Sequence, residues 1–282
     1  MHSVVGFLIP WEFSPVVLVT CTAAVLLYAR GLARSRAAGE RVGPWRPLAY
    51  FVGLTLVYAV LQTHIDYLSQ HMFWVHRGQH LVLHHLGPFL LALSAPQAVL
   101  VRGLPAGLHR QILAPMWRHP VTQGLYGLVQ HPLIAPVLFV GLIYLWLMPE
   151  IHFDAMLSAP RYKLMNWSML LDGLLFWWLI LDPRLPRGRP RLGHGARIIV
   201  LWLIMLPQIV LGAYIGLHGE VLYDVYDVCG RAWPISPLVD QQIGGLITWI
   251  PSSMMSVVAG LIVLGFWMQD RGAIEAEQPV IS

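Results

Sequence analysis

Charge and cysteine are what this sequence has least of. Only 11% of its 282 residues are Asp, Glu, Lys or Arg, whereas 57% are hydrophobic and the mean hydropathy is +0.62. This composition excludes an ordinary soluble domain and predicts an all-α integral membrane protein. The two cysteines, Cys21 and Cys229, fall in an apolar segment and in a late polar loop, so we expect no disulfide between them.

Motifs that mark catalysis or nucleotide binding are also missing. The chain has no Walker phosphate loop, no Rossmann glycine fingerprint, no CxxCH haem-attachment motif and no nucleophile elbow. We therefore expect a protein that is not an enzyme.

Seven apolar segments approach the roughly 20 residues that an α-helix needs to cross a bilayer. Together they predict one polytopic membrane domain over residues 1–282, with seven transmembrane helices. The predicted spans are 14–30, 47–64, 80–101, 132–149, 162–181, 197–217 and 241–268.

The distribution of basic residues predicts the orientation of these spans. Of the 18 lysines and arginines, all but Arg77, Arg161, Lys163 and Arg231 fall in alternate loops, beginning with the loop after the first span. Because cytoplasmic loops carry the excess of Lys and Arg, the N-terminus is predicted outside and the C-terminus in the cytoplasm. The arginines lack interleaved aromatic residues, so we expect membrane lipids rather than nucleic acid as their partners.

The most informative residues are three histidines at the start of the third apolar segment. His76, His80 and His84 lie four residues apart, so on an α-helix their side chains share one face, about 6 Å apart along the axis. Imidazole is a good copper ligand, and the thioether of Met72 would suit Cu(I). His64 and His71 precede the stripe and complete the predicted metal ligands, whereas interfacial histidines that bind headgroups or backbone carbonyls are the alternative.

Other polar residues are predicted to support this site. Asp172 lies within the fifth span and must pair with His84 or His85, or else stay neutral against a backbone carbonyl. Asp240 is expected to cap its own helix, and Gln241 and Gln242 to order a water or a ligand. The predicted supporting residues are His85, Asp172, Asp240, Gln241 and Gln242.

The segments "HRGQHLVLHHLGPFLLALSAP" and "DQQIGGLITW" resemble the CtaG family of cytochrome c oxidase assembly factors, which are seven-helix bacterial membrane proteins. The matched residues are His76, His80, Pro88, Pro96, Asp240 and Gln241. The resemblance implies a multi-pass protein of the bacterial inner membrane that helps to mature a haem–copper oxidase. It also implies an oxidase subunit as a partner, with a periplasmic copper donor as a further one. Many relatives carry a histidine before helix five, where this chain has Met165 and Asn166.

Three alternatives remain open at this point. A copper transporter would need polar groups through to the cytoplasmic face, and a purely structural assembly partner would bind no metal. A haem-binding redox protein would need a second buried histidine on another span, and His131, His152 and His218 all fall at span ends. Haem is therefore not expected, and copper, most simply Cu(I), is the expected metal.

Overall fold

The computed structural model describes residues 12–181 and 192–277, which form helices, turns and loops without a β-strand. Short helical turns occupy Ala106–Leu108, His109–Leu113 and Ala114–Arg118. The principal helices, numbered along the chain, are α1 (Pro15–Ala37), α2 (Trp45–Gln62), α3 (His64–His71), α4 (Phe73–Leu93), α5 (Gln97–Gly103), α6 (Pro120–Val129), α7 (Ile134–Leu147), α8 (Pro149–Met156), α9 (Ala159–Leu181), α10 (His194–Leu217), α11 (Val225–Cys229) and α12 (Pro237–Glu277).

The helices are long and apolar enough for several membrane crossings. In the described residues α1, α9, α10 and α12 each pass this test alone. Three further pairs pass it together but are bent: α2 with α3 by 57°, α4 with α5 by 77°, and α6 with α7 by 68°. The chain is therefore an all-helical, multi-pass membrane protein with four to seven candidate spans.

The third apolar segment differs from the prediction at both ends. We expected one span over 80–101, but α4 begins at Phe73 and ends at Leu93. The helix begins at Phe73 because the residue before it, Met72, is extended, with φ −144° and ψ 125°. The carboxylate of Asp240, which lies on α12, then accepts hydrogen bonds from the first N–H groups of the helix. The chain then bends between α4 and α5, because the ring of Pro96 disfavours helical backbone at the residue before it, and Ala95 adopts φ +49°.

Helix α4 lies at the centre of the bundle, where it packs against α2, α3, α9 and α12. Glycines allow the closest of these approaches. A Cβ on Gly87 would lie 2.7 Å from a methyl group of Val57, and one on Gly173 would lie 2.5 Å from the carbonyl oxygen of His84. The histidine-bearing helix is thus held in tight backbone contact with α9.

Helices α10 and α12 form the most extensive helix pair and also meet at glycines. A Cβ on Gly245 would lie 2.5 Å from the backbone nitrogen of Gly216 and 2.9 Å from the carbonyl oxygen of Gly212. We expect Gly245→Ala to lower the free energy of unfolding by about 1–3 kcal/mol, because these backbone atoms can yield only if the helices separate. Thermal unfolding in detergent measures this effect.

The matched control is Gly260→Ala in the same helix, where a Cβ meets nothing within 4 Å. This substitution should be neutral, or should stabilise the helix by up to about 1 kcal/mol. Equal shifts for the two variants would contradict the close approach at Gly245.

Candidate functional site

Three histidine rings meet inside the bundle, at the end of it that holds α3, α8 and α11. His76 and His80 come from α4 and His152 comes from α8, and all three are buried. The centroid of the His76 ring lies 4.3 Å from that of His80 and 5.0 Å from that of His152. These three residues are called the histidine cluster below.

His76, at the centre of the histidine cluster, has unused bonding capacity. It is 0% exposed, and one ring N–H is directed at the backbone carbonyl of Ser69, although in a geometry too poor for a full hydrogen bond, while the other ring nitrogen has no partner among the described residues. Buried polar atoms are nearly always paired, because leaving one unpaired forfeits its hydration. A neutral imidazole in this state carries a free lone pair that can bind a metal ion.

His80 is held in one tautomer by its neighbours. Its Nε2–H donates to Oδ1 of Asn166 over 3.1 Å, and its Nδ1 accepts from Nη1 of Arg77 over 3.4 Å. Asn166 stands on α9, and Met165 beside it is fully buried. The chain thus orients His80 through an amide oxygen.

His152 is also fully hydrogen-bonded. Its Nδ1–H donates to the carbonyl oxygen of Trp146 over 2.9 Å, and its Nε2 accepts from the hydroxyl of Tyr226 over 3.0 Å. Burial lowers the pKa of His152 to about 4, although the hydrogen bond to Trp146 opposes this. Burial also raises the pKa of Tyr226 well above its usual value, so its hydroxyl keeps the proton that it donates. His152 is therefore neutral at physiological pH.

The role of His152 was missed in the sequence. The sequence places His152 at a span end, and it does lie just after α7, but its burial beside His76 was not predicted. The short helix α8 buries His152, Ala155 and Met156, which are spaced i, i+3 and i+4. This spacing is typical of a helix with one buried face, and it is the sequence pattern that could have predicted the burial of His152.

His84 does not continue the stripe that the sequence predicts. Residues Leu81–Leu86 form a π-helical turn, and i→i+5 hydrogen bonding widens the turn so that a four-residue step no longer returns to the same face. The His84 ring stacks on Phe139 with centroids 4.0 Å apart, and its Nε2 lies 3.1 Å from Oδ2 of Asp172. Of the two alternatives for Asp172, the structure has the pairing with His84. Nδ1 of His84 and Nδ1 of His85 are buried without partners among the described residues.

The remaining predicted ligands lie apart from the histidine cluster. His64 and His71 flank the ring of Tyr67, with centroids 4.8 Å and 4.3 Å away, and Nδ1 of His71 donates to the carbonyl oxygen of Gly230. Met72 is fully buried at the break between α3 and α4. The structure therefore gathers His76, His80 and His152 inside the bundle, whereas His64 and His71 lie outside this cluster, beside Tyr67.

Asp240 caps a different helix from the one that we expected. Its Oδ2 accepts from the backbone N–H of Phe73 over 3.0 Å and its Oδ1 from that of Trp74 over 2.8 Å, so it caps α4 although it belongs to α12. Arg231 pairs with the same carboxylate. The prediction that Asp240 caps its own helix was wrong, because the packing of α12 against α4 brings this carboxylate to the unpaired N–H groups at the start of α4.

The two glutamines after Asp240 differ in role. Oε1 of Gln241 accepts from the backbone N–H of Leu222, and its Nε2 donates to the carbonyl oxygens of Ile215 and Glu220. Gln241 thereby fastens the loop after α10. Gln242 is half-buried and makes no side-chain hydrogen bond with the described residues.

A second polar group lies beside the histidine cluster, around Asp66 of α3. Oδ1 of Asp66 accepts from the hydroxyl of Tyr162 and from Nε2 of Gln79, each over 2.8 Å. A cavity of about 50 Å³ runs along Asp66 and Asn166, beneath the surface ion pair of Glu12 and Lys163. Asn166 thus lines this cavity and also contacts His80.

The histidine cluster is not a preassembled metal cage. Within residues 12–181 and 192–277, no group of three or more His, Cys, Asp or Glu side chains is arranged to hold one metal ion. Both ring nitrogens of His80 and of His152 are hydrogen-bonded to other residues, whereas His76 keeps one ring nitrogen without a partner among the described residues. Binding would require at least one of these rings to exchange its partner.

The fold and the site together define a helical, multi-pass membrane protein with a buried histidine cluster. A family model described as cytochrome c oxidase caa3 assembly factor matches residues 26–270. Because this match covers most of the chain, the protein belongs to that family, and the predicted resemblance is confirmed. Neither the curated proteins nor the solved structures contain a match to the chain. Membership in an assembly-factor family fits a non-catalytic role.

Proposed function

We propose that the protein binds copper, as Cu(I), at the histidine cluster and passes it to a haem–copper oxidase subunit during assembly. The observation that carries this proposal is His76, a buried imidazole that makes no hydrogen bond of good geometry and lies between two further imidazoles. Neutral imidazoles and the buried thioether of Met165 are ligands that suit Cu(I). The family accounts for the assembly role, and the copper chemistry is our inference from these side chains.

The state of the histidine cluster suits a carrier rather than a permanent metal site. His80 and His152 would each give up a hydrogen bond when they turn towards an ion, so part of the binding energy is spent on rearrangement. A carrier needs such moderate affinity because it must release its cargo. In this proposal His84, His85 and Asp172 form a deeper supporting group. His64 and His71 are partly exposed and lie outside the histidine cluster, whereas Met72 is fully buried.

We further propose seven spans in the bacterial inner membrane, with each bent pair of helices crossing once. The N-terminus would be outside and the C-terminus cytoplasmic, as the bias of Lys and Arg towards alternate loops favours. The histidine cluster then lies in the periplasmic half of the membrane. A copper ion released by a periplasmic donor could approach His80 through the cavity that runs along Asp66 and Asn166.

The direct test is anaerobic loading of the purified wild-type protein with Cu(I), followed by removal of free metal with a competing chelator. We expect about one copper ion per chain to remain. The same protein loaded with Zn(II) is the metal control. A wild-type protein that retains no copper would rule out the proposed site.

Cells test the assembly role separately. A strain that lacks this chain should make a haem–copper oxidase that is deficient in copper and in activity, and the wild-type chain should restore both. Restoration by a chain that has lost its copper site would leave the family role intact and would remove copper from it.

A further inference from the structure

Arg77 is a buried cation without a carboxylate partner. It is 4% exposed and follows His76 in the middle of the bundle, although the sequence led us to place it in an outer loop. Its Nε donates to the hydroxyl oxygen of Thr248 over 2.9 Å, and its Nη1 to Nδ1 of His80. None of the ion pairs among the described residues includes Arg77, whereas Arg231 pairs with two carboxylates.

The groups around Arg77 do not balance its charge. A guanidinium group stays protonated in proteins, and both of its hydrogen-bond partners are neutral. Those partners use only two of its five N–H groups. The carboxylate of Asp172 is directed at His84, so a histidine ring stands between it and this part of the bundle. An unbalanced charge inside a membrane protein is costly, and such residues are usually paired.

A small polar cavity adjoins this cation. Its volume is about 10 Å³, close to the least that holds one water-sized particle. Arg77, His80, His84, His85, Thr248 and Ser252 supply its polar lining, and the rest of the wall is apolar, including the flexible side chain of Met169. The cavity is far too small for an oxyanion or an organic acid.

We propose that this cavity binds one small monovalent anion of the chloride class, held by Arg77. A water molecule would satisfy the N–H groups but would leave the charge unbalanced, whereas a halide does both. The unused N–H groups of Arg77 and the hydroxyl of Ser252 are the donors available to it, and Met169 can shift to admit an ion larger than water. This site does not depend on copper binding.

Bromide, which scatters anomalously, tests the site directly in crystals of the wild-type protein grown in sodium bromide. We expect an anomalous peak within hydrogen-bonding distance of the Arg77 guanidinium. The absence of a peak there would overturn the proposal. This measurement needs no variant and so does not depend on whether a mutated chain folds.

Thermal unfolding in detergent provides the second test. In sodium chloride the wild-type midpoint should lie about 3–6 °C above that in sodium gluconate of equal ionic strength, and the rise should saturate with chloride. Arg77→Gln should lose this response, whereas Arg161→Gln, which removes an exposed arginine, should keep it. A chloride response that Arg77→Gln retains in full would also overturn the proposal.

Discussion

Replacing Asp240 with alanine should lower the free energy of unfolding by about 3–5 kcal/mol, the range seen when one partner of a buried ion pair is removed. The carboxylate is 0% exposed and accepts from two backbone N–H groups at the start of α4 as well as from Arg231. Alanine would leave both N–H groups unpaired and a half-buried guanidinium without this carboxylate. Thermal or denaturant unfolding in detergent measures the loss.

Two further variants separate the causes of this effect. Asp240→Asn keeps one acceptor oxygen but removes the charge, so it should fall between the wild type and Asp240→Ala. Asp154→Ala removes an exposed carboxylate that pairs with Arg161, and it should cost less than about 1 kcal/mol. A loss at Asp240 no greater than that at Asp154 would show that the cap contributes little.

His76→Ala should weaken Cu(I) binding by about 100-fold or more. Removing a residue that merely supports a metal ligand already costs about 10–100-fold in affinity, so removing a central ligand should reach at least the upper end of that range. His80→Ala and His152→Ala should each lower the Cu(I) affinity by about 10–100-fold. The loss is smaller than at His76 because each of these rings must first give up a hydrogen bond in order to bind the ion. Competition with a Cu(I) chelator of known affinity, performed anaerobically, provides the measurement.

His131→Ala is the matched control, because His131 is exposed and lies away from the histidine cluster. Its copper affinity should equal that of the wild type. Unchanged affinity in His76→Ala, with the fold intact by circular dichroism, would place the copper elsewhere. The loading of the wild type would then still stand, so the two results are independent.

The helical membrane class could be predicted from composition, because a chain with so few charges cannot provide a soluble surface. The structure confirms that class in the residues it describes. The start of α4 could not be predicted in the same way. Local sequence around Phe73 is aromatic and polar, and the carboxylate that caps the helix there belongs to Asp240, 167 residues further along the chain.

The candidate site was predictable only in part, for a similar reason. The spacing of His76 and His80 obeys α-helical geometry, and their rings do meet. His84 departs from this geometry, since α9 lies against the π turn and Trp177 donates its Nε1–H to the carbonyl oxygen of His84. His152 belongs to another helix altogether, and no single-helix pattern could have linked it to His76.

The cap that Asp240 provides also has a consequence for biosynthesis. A membrane chain is inserted from its N-terminus, so the helix that carries His76 and His80 is made well before the residue that caps it. Until the last helix docks, the N–H groups of Phe73 and Trp74 have no carboxylate to which they can donate hydrogen bonds, and the first turn of α4 is free to fray. The cap is therefore completed only when synthesis is almost finished, and a chain truncated before α12 lacks the contact that holds the first turn of α4 beside His76.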